Sequence, residues 1–270
     1  MKKVENKKKI LLKKIFIRFS RFLGYELLDQ NTFESPTLKK KLEESLSIAG
    51  KKSISLPLGE IEITRKVKSL TIFFRSCSKI KLWNQNKERI FKQPKSEYLL
   101  RSLNSILKST NYSKNKIPHL DISFHVIDDQ SDEDVIKKIK DLFEKHNQNY
   151  KLTNLDISEY KNLCQDTNFA SIYKSYNMVK NINSDLVYFV EDDYVHDEIS
   201  IHEMLLTFER LSTQLKEDVI LFPADYPYLY AQNTPTYILL GNKRHWRKID
   251  QSLGTLLLSK KLFMKYWENF

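Results

Sequence analysis

The first pattern in the chain is KKILLKKIFIRFSRFLGYELL at residues 8–28. Ile10, Leu11, Ile15, Ile17, Phe19, Phe22 and Leu23 recur there at roughly helical spacing, with cations between them. The spacing predicts a basic amphipathic helix that Gly24 is placed to stop. Such a helix has two fates: its apolar stripe lies on an anionic membrane surface, or it docks on a core as an ordinary solvated helix. Residues 29–52 are polar, contain Ser35-Pro36, and read as a linker leading into a short helix.

From residue 53 the texture changes. Ser53 to Thr64 alternates like one or two short strands, and Leu70 to Arg75 (LTIFFR) is an apolar run bounded by polar residues, hence a buried strand. Pro94 opens a helix through Leu107, with Leu99, Leu100, Leu103, Ile106 and Leu107 on one face. Ile122 to Ile127 is a second buried strand, and residues 132–145 form a helix with acids first and lysines later, as the helix dipole favours. A short strand at Leu152 to Leu155, a helix over 168–181, a strand at Leu186 to Val190, a helix over 198–214 and a fifth strand at Val219 to Phe222 follow. Strands thus alternate with helices over 70–222, which predicts an α/β domain with a mostly parallel central sheet and helices on both faces. Tyr237 to Leu240 and Thr255 to Leu258 read as antiparallel additions, and Lys260 to Phe270 as a closing helix. The expected organisation is a basic N-terminal helix and linker over residues 1–52, then one domain over 53–270.

Charge sharpens this division. Residues 1–23 hold nine lysines and arginines against a single acid, Glu5, and so carry +8 of the chain's net +11. A nucleic-acid binder spreads its charge over a folded face, so no nucleic-acid partner is expected. Cys77 and Cys164 form no CxxC and no metal-type pair, which argues against a disulfide framework or a structural zinc and reads as two reduced thiols. The N-terminus is too charged for a secretory signal, so the expected location is the cytoplasm, with a peripheral place at the inner face of the membrane if residues 1–23 bind lipid. Five glycines, with neither GxGxxG nor GxxxxGK[ST], leave no glycine-rich phosphate loop.

In an open α/β sheet, ligands bind at the carboxyl ends of the strands. Three of the expected strand ends are distinctive: Arg75 after the first, Asp128-Asp129 after the second, and Glu191-Asp192-Asp193 after the fourth. Three consecutive carboxylates repel one another unless a cation sits among them. Carboxylate oxygen is the hard ligand preferred by Mg²⁺ and Mn²⁺, which take one or two carboxylates and complete the shell with water and phosphate. A solvated acidic loop is the plainer alternative. At Asp128-Asp129 the plainer alternative is capping of the following helix by Asp129 or Ser131, but a strand-end acid also accepts from a ribose hydroxyl or a base N–H.

From Ser69 to Leu258 the chain resembles the family 2 glycosyltransferases of the GT-A fold. The pieces occur in order: SLTIFFRS at 69–76 is similar to the family's opening strand, and SEYLLRSLNSILKS at 96–109 to its first helix with an LxxSLxSIL pattern. ISFHVIDDQSDED at 122–134 is similar to IEIIVVDDGSTD, and DLVYFVEDDYVHDE at 185–198 to the DxD strand and the turn after it. The resemblance implies a GT-A transferase that moves a sugar from a nucleotide-diphosphate donor, a UDP-sugar first, to an acceptor hydroxyl on a glycan, lipid-linked or protein acceptor, with inversion and with Mn²⁺ or Mg²⁺. By residue, it implies that Asp128 and Asp129 contact the nucleoside and that Glu191 and Asp193 hold the metal and diphosphate. Arg75 and Asp192 fall at the nucleotide pocket. Glu191 departs from the usual Asp, Gln130 from the usual Gly, and residues 77–93 are inserted between the first strand and first helix.

An inverting transferase needs an acid to deprotonate the acceptor. Asp225 in FPADYP is the candidate and Asp250 in HWRKIDQS the alternative, Asp225 being equally well placed as a turn residue before Pro227. In Lys243-Arg244-His245-Trp246-Arg247, His245 is a candidate metal ligand and Arg247 a phosphate partner, with an exposed basic loop as the plain alternative. His119, His125, His146, His196 and His202 have no ligand-like spacing and receive no role. Two rival functions remain: a nucleotidyltransferase, which would carry the glycine- and basic-rich loop missing here, and a non-catalytic binding module of the same fold.

Overall fold

The computed structural model describes residues 12, 14–25, 63–79, 93–160, 167–224, 226, 238–249 and 254–269. The strands expected over Ser53 to Thr64 lie outside the described residues except at Ile63 and Thr64, which are not in a strand, and both candidate bases, Asp225 and Asp250, lie outside them as well. Contacts divide the chain into two units, Met1–Glu62 and Ile63–Phe270. In the first, residues 14–22 are helical (α1) and end at Gly24, whose φ of 83° lies in the left-handed region that a helix stop favours.

The second unit is a five-stranded sheet in the order β3-β2-β1-β4-β7. These strands are β1 (Ser69–Ser76), β2 (Asp121–Asp128), β3 (Tyr150–Asn154), β4 (Leu186–Glu191) and β7 (Leu256–Ser259). The first four are mutually parallel, and β7 runs antiparallel to β4. The crossovers are α2 (Lys95–Lys116), α3 (Glu133–Lys145) and α4 (Thr167–Val179), while α5 (Ser200–Leu215) follows β4 and α6 (Lys260–Lys265) follows β7. A separate hairpin joins β5 (Ile238–Leu240) to β6 (His245–Arg247).

The alternation of side chains along a strand decides what each face carries. Leu70, Ile72 and Phe74 of β1 and Leu186, Tyr188 and Val190 of β4 enter one core, with Leu99, Leu103 and Ile106 of α2, Ile139 and Phe143 of α3 and Met204 and Phe208 of α5. Phe73, Val187 and Phe189 enter the other, with Ala170 and Val179 of α4 and Phe263 of α6. Both faces are covered, which is why these strands read as unbroken apolar runs. The fold is therefore α/β with a mostly parallel central sheet and helices on both faces.

One expected strand is corrected. Val219 to Phe222 does not join the sheet: only Leu221 bridges, antiparallel, to Leu257. The position next to β4 is taken by β7, whose four residues are all buried. A run of four apolar residues can be satisfied by lateral packing alone, and nothing in its pattern requires a ladder.

Candidate active site

The strand order reverses beside β1. The chain lays β2 and β3 on one side of it, then returns to place β4 on the other. In open α/β sheets the crevice outside the carboxyl ends at such a switch point is where ligands bind. The register puts Arg75 directly between Ile127 and Glu191, so the ends of β1, β2 and β4 present their polar residues side by side.

Arg75 and Glu191 follow Phe73 and Phe189 on the α4 face of the sheet. Arg75 Nη2 donates to Glu191 Oε1 at 2.6 Å. Its Nη1 donates to Asn168 Oδ1 at 2.8 Å and to Ser171 Oγ at 3.1 Å, both from the start of α4. Arg75 is 7% exposed. Gly254 lies close against this pair: a Cβ there would come within 3.2 Å of Arg75 Nη2 and 3.3 Å of Glu191 Oε1, a tight approach that would require the pair to shift by a few tenths of an ångström.

The two acids after Glu191 diverge. Asp192 turns inward, accepting from the Cys77 backbone N–H at 2.8 Å with Lys95 Nζ at 3.4 Å. Burial pushes its carboxyl up to about 6, against the pull of Lys95 and the Cys77 N–H toward the charged form. Asp193 is exposed, and among the described residues it has no hydrogen-bond or ion-pair partner.

Asp128 and Asp129 also diverge. Asp128 accepts Ser76 Oγ at 2.7 Å and the Ser131 backbone N–H at 2.9 Å, pinning β1 to the turn that starts α3. Asp129 is 5% exposed, its backbone N–H is donated to Ser76 O at 2.8 Å, and its carboxylate has no partner among the described residues. Gln130, where the resembled motif carries Gly, has φ of 54°, so this turn needs a left-handed residue and glutamine bears the strain.

The loop after β4 hangs from α2 by serines. Ser102 Oγ donates to Tyr194 O at 2.6 Å, Ser105 Oγ accepts the His196 N–H at 2.9 Å, and Ser109 Oγ accepts the Ile201 N–H at 2.9 Å. Ser102 and Ser105 belong to the LxxSLxSIL-like pattern, whose serines thus have a physical use: they fix the acidic turn against the first helix. His196 is half-buried, its ring nitrogen lies 2.8 Å from Tyr188 Oη, and desolvation lowers it to about 4, so it is a neutral packing histidine.

The basic hairpin is placed differently. His245 and Arg247 line a cavity of about 500 Å³ with Asp197, Glu203, Arg244 and Trp246, a lining that includes neither Glu191 nor Asp193. The hairpin is held by a residue that sequence reasoning missed. Glu203 of α5 accepts backbone N–H groups of Asn242 at 3.0 Å, Lys243 at 2.7 Å and Arg244 at 3.1 Å, and Trp246 Nε1–H at 3.3 Å. Its only sequence signal is an acid on a helix face otherwise bound for the core.

These placements bear on a metal. Among the described residues, no three His, Cys, Asp or Glu side chains are grouped as a ready-made cage. His245 lines the other cavity, and Glu191 shares one oxygen with Arg75. What remains among these candidates is Asp193 and the second oxygen of Glu191; an ion of the Mg²⁺ type takes one or two carboxylates and completes its shell with water and phosphate.

No protein-family model matches the chain, and no curated protein does. Among solved structures, galactosyltransferase LgtC with donor and acceptor sugar analogues aligns over 46% of this chain and 37% of its own, at 13% identity and a TM-score of 0.28. M. tuberculosis glucosyl-3-phosphoglycerate synthase aligns over 73% of this chain and 58% of its own, at 10% identity and a TM-score of 0.32. The chain thus spans less than two thirds of either protein.

Proposed function

We propose that this chain is a glycosyltransferase that binds a nucleotide-diphosphate sugar in the crevice between β1 and β4 and passes the sugar, with inversion, to an acceptor hydroxyl on a glycan, lipid-linked or protein acceptor. The observation that carries the reading is the placement of Arg75 beside Glu191 at the ends of β1 and β4, next to the end of β2 that leads into Asp129, at one topological switch point. The order of motifs along the sequence supports it independently.

In this reading Asp129, buried and without a protein partner among the described residues, accepts from the nucleoside, as a strand-end carboxylate does in other nucleotide-binding sheets. Asp128 shapes the turn that presents it. Arg75 fixes the rotamer of Glu191 and sets positive charge beside the crevice. Glu191 and Asp193 would hold a divalent ion, Mn²⁺ or Mg²⁺, which when bound neutralises charge on the leaving nucleoside diphosphate. Asp225 or Asp250 supplies the base that takes the acceptor proton.

The test is release of nucleoside diphosphate from a panel of UDP-, GDP- and dTDP-sugars in Mn²⁺. At least one donor should turn over, and Glu191→Gln should lower that turnover by roughly 10²–10³, the usual cost of losing an electrostatic stabiliser. Absence of turnover with every donor, or a fully active Glu191→Gln, would overturn the proposal.

A further inference from the structure

The apolar stripe of α1 faces solvent. Leu12, Ile15, Phe16, Phe19, Phe22 and Leu23 are 53–86% exposed. At 3.6 residues per turn these six side chains fall within an arc of about 120°. Lys14, Arg18 and Arg21 project from the opposite half of the helix and are exposed as well. Only Ile17 and Ser20, which lie between those two sectors, are covered to any degree.

A contiguous stripe of six large apolar side chains marks an interaction surface. The charge pattern says what kind. Residues 6–25 contain seven lysines and arginines and no acid. An apolar groove on a protein would match the stripe but leave this unrelieved charge unanswered. An anionic bilayer surface meets both faces at once, with acyl chains taking the stripe and lipid phosphates the cations. No helix among the described residues is long and apolar enough to cross a membrane, so the helix lies along the surface.

We propose that α1 is a membrane-surface anchor that lies in the headgroup layer of an anionic bilayer, with Phe16, Phe19, Phe22 and Leu23 inserted and Lys14, Arg18 and Arg21 engaging lipid phosphates. The proposal rests on α1 alone and does not depend on the catalytic reading.

The experiment is co-sedimentation of the full chain with phosphatidylcholine vesicles, with and without phosphatidylglycerol, at low and high salt. The chain should bind the anionic vesicles at least about tenfold more strongly than the neutral ones, and high salt should erase most of the difference as the screening length shrinks. Arg18→Gln with Arg21→Gln should weaken anionic binding by about 25-fold, at about fivefold per cation. Phe16→Ser with Phe19→Ser should remove vesicle binding while leaving the melting temperature unchanged, since both rings are exposed. Failure to bind either vesicle, equal salt-insensitive binding to both, or full binding by the double Phe variant would each overturn the proposal.

Discussion

Replacing Asp192 by Asn should make this protein more stable at neutral pH, although it deletes a charged residue from the acidic motif. Asp192 is 7% exposed, and burial raises its carboxyl from an ordinary 3.8 to about 6. At about 1.36 kcal/mol per unit, holding the ionised form in the folded chain costs about 3 kcal/mol. The folded value lies above the unfolded one, so the penalty is absent below about pH 4, where both states are protonated. It grows as pH rises through the interval from about 4 to about 6 and is fully present above it. Asn keeps an oxygen for the Cys77 N–H and removes the buried charge, while leaving Lys95, 17% exposed, without its partner. The expected gain at neutral pH is up to about 3 kcal/mol, or roughly 6–12 °C in Tm for a domain of this size. Urea unfolding of parent and variant across a pH series reads the difference directly: it should shrink toward zero on acidification. A variant less stable than the parent at neutral pH would refute the reasoning, because Asp192 would then be a net-favourable partner of Lys95. So would a gain that does not change with pH.

Asp128→Ala should cost about 2 kcal/mol in denaturant unfolding, because Ser76 Oγ and the Ser131 N–H lose their buried acceptor; Asp129→Ala should leave stability nearly unchanged and weaken nucleotide binding in calorimetry. Glu203→Ala should cost about 3 kcal/mol or more, since three backbone N–H groups and the Trp246 indole lose one carboxylate, and protection of the 242–244 amides in hydrogen exchange should fall with it. Gln130→Gly should raise stability by up to about 1 kcal/mol by relieving the left-handed backbone, measured by thermal melting.

Periodicity carried most of the fold. The apolar runs of β1, β2 and β4 and the one-sided helices α2, α3 and α5 are legible because both sheet faces are covered and each helix buries one stripe. The segment at 219–222 misled because a run of four apolar residues looks the same whether it pairs or merely packs. The strand-end acids were legible as a group, but their individual fates were not. Asp192 turns inward and Asp193 outward, and Asp128 is spent on the turn while Asp129 is not; neighbours in a motif separate according to backbone direction, which composition does not encode. The Arg75–Glu191 pair followed only from the β1–β4 register, and Glu203 from a hairpin whose location no local pattern fixes. Serines 102, 105 and 109 sat in plain view at spacings of three and four along α2, a polar seam on an otherwise apolar face that marks a hydrogen-bonded partner loop.

The most direct test of the central claim, that the crevice between β1 and β4 holds a nucleotide-diphosphate sugar over Asp193, pairs the parent with Asp193→Asn in calorimetric titration with UDP in the presence of Mn²⁺, read beside melting curves without ligand. The account predicts that the parent binds, that Asp193→Asn loses at least about tenfold in affinity, and that its ligand-free melting temperature holds or rises, because a like charge next to Asp192 has gone. Unchanged affinity in a variant that folds like the parent would contradict it.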